Sequence, residues 1–495
     1  MKTRILCLAA SVAIALAGTI SAEAAVKTLA SAPAQVVSLA DVQALQAQLQ
    51  ALQDRLTQME QAQLAQAAKV AEAAKVVKDQ VLVNNDQQAA LDNVADNLAR
   101  TVGEGASSGW MGRWVWKGDF RYRNENIDQE YTERDRNRDR MRLRLGATAR
   151  VNDTVKVVAQ FTTSEGADAR SPNQSLTDAN SRKAVYVDTA YGEWAPTPQF
   201  KATLGKQPYP WIRTSSYFYD GDVNPEGVSA SWQQAATGFF GSAWLTRLAE
   251  RSAKADSDLL GLQVGYRNNF GDGGRYLLAA GYFDYSAVEG YNVIQSGINS
   301  YYGNSTQTTA LTTVNPICRS SLGVAPQTCL ANDFDIIELV GELQIKVAGQ
   351  PLLIYGNYAQ NNKAKFAFVS TDLTKNIKAG LDTAYALGFT FGKAALPGSW
   401  EVGYVYQRIE KDSLYGQLLD SDFGAGNTDA KGGAFRFVYQ FDKNFKFNTT
   451  YFMNQTNIDL ATGVSAPFSG AVGATSKTIF DRDYNRLQLD LNYSF

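Results

Sequence analysis

The sequence of 495 residues contains no histidine, which excludes Ser–His catalysis and metal sites built on histidine ligands. We therefore expect a protein that is not an enzyme and that holds no metal or other cofactor. The chain has only 12 prolines, and beyond its N-terminal segment no run of about 18 apolar residues could form a transmembrane helix. With 45% hydrophobic and 19% charged residues, it is too polar for a helical membrane protein. No nucleic-acid partner is expected.

The N-terminal residues 1–24 are predicted to be a secretory signal peptide. Lys2 and Arg4 precede an apolar run, and Ala22-Glu23-Ala24 supplies a cleavage site for the signal peptidase. A transmembrane anchor is the alternative, but the apolar run is short and interrupted by small residues. The sequence therefore indicates an exported protein.

Cysteine is also scarce, with three residues in the whole chain. Cys7 would be removed with the signal peptide. Cys318 and Cys329 remain, close together inside one polar stretch. Because exported proteins meet an oxidising environment, we expect these two to form a disulfide, with two free thiols as the alternative.

After a lead-in at 25–38, residues 39–100 are predicted to form a periplasmic helical segment. Apolar side chains recur there in steps of three and four, the spacing of a coiled-coil seam: Val42, Leu45, Leu49, Leu52, Leu56 and Met59. As a helix, residues 39–80 would span about 60 Å. A narrow apolar stripe of this kind favours oligomerisation, whereas a solitary helix or a partly disordered Ala/Gln tract is the alternative. Residues 101–112 are Gly/Ser-rich and are predicted to be a linker.

The last residues of the chain alternate between apolar and polar side chains. The apolar positions share one parity: Leu487, Leu489, Leu491, Tyr493 and Phe495. Such a strand has one apolar and one polar face. With its terminal Phe495, it resembles the closing strand of outer-membrane β-barrels. In those barrels the terminal aromatic residues form part of the signal that the barrel-assembly machinery reads, and here these would be Tyr493 and Phe495.

Residues 113–495 show the same alternation in many segments, separated by polar connections. Short connections, such as 152–154 and 271–274, alternate without exception with long ones, such as 207–226 and 287–333. Seven short and eight long connections predict an all-β fold, a 16-stranded antiparallel transmembrane β-barrel, with 18 strands as the alternative. An even strand number with short turns on one side and long loops on the other is typical of bacterial outer-membrane barrels.

A barrel of this size encloses an aqueous lumen, and strand parity predicts which charges line it. Five arginines of the first, second and last strands are predicted to point inward as a pore-lining basic wall: Arg121, Arg123, Arg142, Arg144 and Arg486. On the tenth strand, roughly opposite, Glu338 and Glu342 are predicted to face the lumen. The first and last strands become neighbours when the barrel closes, so the arginines are expected to form one continuous surface.

The third long connection, near 207–226, is predicted to be a constriction loop. It carries the acids Asp220, Asp222 and Glu226 among turn-forming residues. Opposed acids and bases at a narrow point would sort small polar solutes by size and charge. The alternative is that these charges are solvated loop and wall residues without such a role.

Two blocks of this region resemble a family. Gly205-Lys206-Gln207-Pro208, followed by residues 220–227 (D-G-D-V-N-P-E-G), is similar to a block of the bacterial "putative porin" family. The resemblance covers most of the chain. It implies a homotrimeric passive channel. The pattern of short turns and long loops places both ends of the barrel, and with them the coiled coil, in the periplasm of a bacterium. Lipid and lipopolysaccharide of the outer membrane are expected to surround the barrel, and peptidoglycan is a candidate partner of the coiled coil.

Three hypotheses on function follow. The first is a passive diffusion porin for small hydrophilic solutes, which the five arginines would make anion-leaning. The second is a substrate-selective channel for a sugar or for an anion such as phosphate. The third is a structural tether, in which the coiled coil links the outer membrane to the cell wall and the barrel serves as an anchor.

Overall fold

The computed structural model describes residues 113–495 with gaps at 131, 133, 167, 178, 293–300, 310–317, 319–326, 366–379, 459–463, 466–477 and 480–481, together with Gln50 and Asp54. The predicted signal peptide, lead-in and linker lie outside the described residues, and so does the predicted coiled coil apart from these two positions. No helix among the described residues is long and apolar enough to cross a membrane.

Sixteen long antiparallel strands run through the described residues and form one closed sheet. They are β1 (Trp114–Gln129), β2 (Arg136–Arg150), β3 (Val155–Thr163), β4 (Val185–Thr197), β5 (Phe200–Lys206), β6 (Glu226–Gln233), β7 (Gly238–Ala249), β8 (Ser257–Phe270), β9 (Gly274–Ser286), β10 (Phe334–Val347), β11 (Gln350–Asn361), β12 (Thr383–Gly392), β13 (Trp400–Ile409), β14 (Ala430–Asp442), β15 (Phe445–Thr456) and β16 (Arg482–Ser494). Each strand pairs with the next, and β16 pairs with β1, which confirms the predicted 16-stranded barrel.

The barrel closes where the last strand meets the first. Gly118 and Phe495 exchange two backbone hydrogen bonds, with N···O distances of 2.8 and 3.0 Å. A Cβ atom at position 118 would lie 2.5 Å from the ring of Phe495 and 2.9 Å from the backbone carbonyl oxygen of Arg144, so glycine favours this close approach. The rings of Tyr493 and Phe495 are exposed on the outer surface. Their recognition by the assembly machinery stays a prediction.

The outer surface of the barrel is apolar because alternate residues of every strand must point outward. Trp116 is 64% exposed, whereas Arg123 on the opposite face of the same strand is only 6% exposed. The outward positions include Leu143, Val157, Leu204, Leu245, Leu262, Leu278, Leu339, Leu387, Phe435 and Leu491. Aromatic residues ring the end that carries the short turns: Trp114, Trp194, Trp232, Phe270, Trp400 and Phe441. This is the surface of a barrel solvated by lipid.

Seven short and eight long connections alternate between the strands, as the sequence predicts. The first long connection is much shorter than predicted, because β1 and β2 stay paired as far as Ile127 and Arg136. The polar residues there continue the ladder instead of forming a loop: Asn124 Nδ2 donates to Asp139 Oδ1 at 2.8 Å. On the inward face of the same stretch, Arg138 pairs with Glu125 at 2.6 Å, so polarity alone does not end these two strands.

The connection between β9 and β10, residues 287–333, carries the disulfide. Cys318 and Cys329 are bonded, with their Cα atoms 5.5 Å apart, and both side chains are buried. This confirms the predicted link. Cys329 belongs to a short strand, Gln327–Leu330, which pairs with Thr306–Thr309 inside the same loop. The disulfide therefore constrains a loop and does not join barrel strands.

Candidate pore constriction

The third long loop, residues 207–225 between β5 and β6, folds into the barrel. Its anchor is Trp211, which is 1% exposed. The indole packs against Trp244 of β7 at 4.7 Å and against Phe283 of β9 at 5.2 Å between ring centroids. A large aromatic side chain contributes strongly to packing when it is buried in this way, so Trp211 fixes the position of the loop.

Inward-facing side chains of several strands satisfy the polar groups of the third loop. The backbone N–H of Ile212 donates to Gln263 Oε1 of β8 at 2.8 Å, and the N–H of Tyr217 donates to Gln407 Oε1 of β13 at 3.0 Å. Near the end of the loop, the amide of Asn224 donates to Asp188 of β4 at 2.8 Å. The loop thus passes across the interior of the barrel and is held at both sides.

The five arginines of the basic wall all point into the barrel, and each lies within 4.0 Å of a carboxylate. Arg123 donates two hydrogen bonds to Asp490 of β16, at 2.6 and 2.8 Å. Arg486 donates to Glu125 at 2.6 Å. Arg121 lies 4.0 Å from Asp490. Paired charges are tolerated at buried positions where isolated ones are not, which explains why this surface can be buried.

The third loop touches this wall at Asp222. On the wall, Arg142 and Arg144 share Asp119, with N···O distances of 2.6 and 2.7 Å. Both guanidinium groups also lie 3.7 Å from Asp222 Oδ1. The acid of the loop and the bases of the wall therefore meet inside the barrel, and Asp220 lies two residues away on the same loop.

The seventh long loop, residues 410–429, also folds inward, which the sequence analysis missed. Its Asp422 lies 3.2 Å from Arg123 and 2.8 Å from Arg486, and it accepts a hydrogen bond from Gln488 at 2.8 Å. The third and seventh loops also contact each other: the N–H of Ser421 donates to Asp220 Oδ2 at 2.9 Å. The seventh loop therefore shares the lumen with the third.

Burial gives the acids of these two loops different protonation behaviour. Burial raises the pKa of Asp420 to about 7, and the neighbouring Asp422 adds to the effect. Burial also raises the pKa of Asp220 above its ordinary value, and Asp420 contributes further. For Asp422, burial is outweighed by Arg486 and then Arg123, which hold its pKa below the ordinary value. Asp422 therefore stays ionised and compensates the arginines at neutral pH, whereas Asp420 is only partly ionised there.

The wall is larger and more nearly neutral than the sequence analysis predicted. Two further arginines, Arg138 and Arg140, belong to it and contact Glu125 at 2.6 and 3.7 Å. In this cluster seven arginines meet six carboxylates among the described residues: Asp119, Glu125, Glu165, Asp222, Asp422 and Asp490. The alternation around Arg140 already indicated its direction, but the seventh loop carried no pattern that would place Asp422.

The other predicted acids lie elsewhere. Glu338 faces inward but is covered by the third loop, whose Tyr219 hydroxyl donates to it at 3.3 Å. Glu342 also faces inward and lies 3.9 Å from Arg275. The placement of Glu226 in the constriction was wrong: it begins β6 on the outward parity, its side chain is 65% exposed, and it pairs with Lys206 at 3.0 Å. The β6 ladder starts one residue earlier than expected, and strand parity then turns Glu226 outward.

A cavity of about 400 Å³ lies between the third loop and the barrel wall. On the β7–β15 side the lumen is filled by a buried apolar cluster that includes Phe218, Phe283, Phe334, Tyr415 and Phe423. The cavity lies beside this cluster and is lined by charged and aromatic residues, among them Lys117, Arg144, Asp188, Tyr209, Arg213, Tyr217, Asp222, Tyr355, Asp420 and Arg436. Polar solutes entering the barrel would therefore meet charges of both signs.

A closed barrel with an apolar outer surface and a polar, charged interior defines an outer-membrane channel protein. The chain belongs to the family described as "Putative porin", whose model matches residues 128–474. No curated protein sequence matches the chain.

Solved porin-like barrels resemble the chain at low identity. OprB of Pseudomonas putida is 11% identical, with 77% of this chain and 94% of that chain covered at a TM-score of 0.46. Vibrio cholerae OmpT, in a trimer form, is 15% identical, with coverage of 77% and 99% and a TM-score of 0.39. Salmonella typhi OmpF, in complex with daunomycin, is 10% identical, with coverage of 77% and 97% and a TM-score of 0.42.

Proposed function

We propose that the protein is a passive diffusion channel for small hydrophilic solutes, with a modest preference for anions, and that it is not an enzyme. The observation that carries the proposal is the contact between the third loop and the basic wall, where Asp222 lies 3.7 Å from both Arg142 and Arg144. A loop held across the lumen at this point narrows the path. Charges of both signs line the cavity beside this contact, among them Asp188, Arg213 and Arg436, and their field acts on small polar solutes.

The preference for anions is expected to be small because the charges of the wall nearly balance. One arginine remains in excess over the carboxylates in contact with the cluster, and Asp420, which lines the cavity, is only partly ionised near pH 7. A low-dielectric wall focuses the field of the remaining charge on the path, so even one excess cation raises the local anion concentration. The five inward arginines alone, without their carboxylate partners, suggested a stronger preference for anions.

The proposal is tested by recording from the purified protein in planar bilayers with a salt gradient of KCl. The expected result is a stepwise conductance with a reversal potential on the anion side. This potential should grow as the salt is diluted, because the Debye length increases from about 3 Å at 1 M to about 30 Å at 0.01 M. A potential on the cation side would contradict the anion preference, and no conductance at all would contradict the channel.

A substrate-selective channel is the second candidate function. The lining of the cavity favours it, because a general diffusion path has no need of the tyrosines that cluster there, among them Tyr209, Tyr217 and Tyr355. Aromatic faces and hydroxyls at a narrow point provide contacts for a solute with a ring. One measurement distinguishes the two functions. In a selective channel the substrate would interrupt the ion current at concentrations that have no effect on the current through a general diffusion channel.

We also propose that the channel is a homotrimer in the outer membrane, where it is inserted by the barrel-assembly machinery and contacts lipid and lipopolysaccharide. The predicted coiled coil would lie in the periplasm and could reach peptidoglycan. Because porin trimers usually associate through their barrel walls, deletion of residues 26–105 is expected to weaken the trimer without abolishing it. Native mass spectrometry in detergent measures this, and a monomer of the intact protein would contradict the proposal.

A further inference from the structure

The third loop carries a cation that the proposed function does not use. Four cations line the cavity: Lys117, Arg144, Arg213 and Arg436. Arg144 pairs with Asp119 and Asp222, and Arg436 pairs with Glu401. Among the described residues, no carboxylate oxygen lies within 4.0 Å of the Arg213 guanidinium group. The sequence analysis considered only the acids of this loop and overlooked this arginine.

Arg213 is nevertheless held in place. Its guanidinium group lies over the ring of Tyr209, 4.4 Å from the centroid, and Nη1 donates to the backbone carbonyl of Tyr219 at 3.3 Å. Its Nε and the hydroxyl of Tyr209 are both buried without a hydrogen-bond partner among the described residues. Buried polar atoms are normally satisfied, so both groups would gain from an acceptor that a small shift of the two side chains brings within reach. A stacked guanidinium group is also pre-organised, which lowers the entropy cost of binding an anion.

The surroundings of Arg213 indicate the rest of the ligand. Six tyrosines line the same cavity: Tyr191, Tyr209, Tyr217, Tyr219, Tyr355 and Tyr404. Their rings offer flat apolar faces to a ligand. The hydroxyls of Tyr219 and Tyr355 already donate to Glu338 and to the carbonyl of Ser215, both at 3.3 Å, so the rings matter more here than the hydroxyls. Ser215 and Ser216, two and three residues after Arg213, also line the cavity. A volume of about 400 Å³ is within the range of pockets that hold small ligands, roughly 300–1,000 Å³.

We infer that this cavity binds a cyclic monocarboxylate, with the carboxylate on Arg213 and the ring against the tyrosines. A single carboxylate matches Arg213, which, unlike Arg144 and Arg436 in the same lining, has no carboxylate within 4.0 Å among the described residues. A phosphate dianion would need more cations, and it would be repelled by Asp188 and Asp222 in the same lining. A neutral sugar would make no use of the charge on Arg213. The inference rests on the proposed function in one respect, because the ligand must enter through the conducting lumen.

The test is block of the chloride current by small acids in planar bilayers. Benzoate is compared with acetate, which lacks the ring, and with benzamide, which lacks the charge. Benzoate is expected to interrupt the current at concentrations about tenfold lower than either, because benzamide loses the charge-assisted hydrogen bond to Arg213 and acetate loses the contact of the ring with the tyrosines. Equal block by benzoate and acetate would overturn the inference.

Two substitutions at Arg213 test whether the block by benzoate occurs at the proposed site. Arg213→Gln is expected to remove the difference between benzoate and benzamide, whereas Arg213→Lys should retain part of it, because the charge remains and the planar fork is lost. The matched control is Arg251→Gln. Arg251 also lies over a tyrosine, Tyr291, at 4.3 Å, but it does not line the cavity. Unchanged benzoate block in Arg213→Gln channels of normal conductance would overturn the inference.

The same recordings separate this inference from the proposed function. The reversal potential in KCl without benzoate reports on the anion preference alone. Channels that keep this preference but bind benzoate no better than acetate would contradict the cyclic carboxylate site and leave the proposed function intact. Channels that lack the preference in KCl but distinguish benzoate from acetate in an Arg213-dependent way would contradict the anion preference and support the site.

Discussion

Replacement of Arg121, Arg123, Arg142 and Arg144 with glutamine is expected to reverse the ion preference of the channel from anions to cations. In the wild-type cluster seven arginines meet six carboxylates, and the variant would leave three arginines against the same six. One charge at 4 Å is worth about 1 kcal/mol in water. Four such changes should therefore alter the permeability ratio by tenfold or more, since about 1.4 kcal/mol corresponds to a factor of ten. Reversal potentials in a KCl gradient measure the ratio.

The control for this variant is Arg247→Gln, which removes a cation from a strand without changing the cluster. Arg247 lies on β7 and pairs with Asp258 at 3.0 Å, far from the basic wall in the strand order. Because removal of one partner of a buried pair costs about 3–5 kcal/mol, the variants must first be shown to fold by their heat-modifiable migration in gels. A folded quadruple variant with an unchanged reversal potential at low salt would show that these arginines do not line the ion path.

Trp211→Ala is expected to widen the channel and to increase its current noise. The indole holds the third loop against Trp244 and Phe283, and loss of a buried tryptophan costs about 3–5 kcal/mol. This energy is lost at the loop anchor and not in the barrel ladder, so the barrel should persist while the loop becomes mobile. Liposome swelling with sugars of increasing size measures the cut-off, and larger sugars should enter the variant faster than the wild type.

The matched control is Trp232→Ala. Trp232 belongs to β6, directly after the same loop, but its ring is half exposed on the outer surface. Its removal should leave both the size cut-off and the noise unchanged. If Trp211→Ala gave a folded channel with the wild-type cut-off, the third loop would not be the element that limits the size of solutes.

The barrel could be predicted from the sequence because one physical constraint acts on every strand. Alternate residues must face lipid, so Leu487, Leu489 and Leu491 had to share a parity, and the polar residues between them had to point inward. The same constraint gave the direction of Arg121 and Arg142 without knowledge of the structure. The disulfide could also be predicted, because Cys318 and Cys329 are the two cysteines left after removal of the predicted signal peptide, and they lie close together in the sequence of an exported protein.

The interior of the lumen could not be predicted in the same way, because loops have no period. Nothing in the local sequence indicates that Asp422 crosses the lumen to Arg486, or that Tyr219 covers Glu338. Loop charges were therefore assigned by proximity to the acids around position 222, which wrongly included Glu226. The neutralisation of the arginines could not be predicted for the same reason. Parity predicts the direction in which a strand residue points, but it does not predict which loop residue lies against it.

The most direct test of the central claim, that the third loop lies in the ion path, is chemical modification of a single cysteine introduced into this loop. Gly221 lines the cavity and has open space where a side chain would begin, and Gly192 of β4 has similar space on the parity of the exposed Trp194. The two cysteines of the barrel are already joined, so an introduced thiol is free to react. A negatively charged methanethiosulfonate is expected to lower the single-channel conductance of Gly221→Cys at once and to leave Gly192→Cys unchanged. Full labelling of Gly221→Cys, confirmed by mass, with no change in conductance would contradict the account.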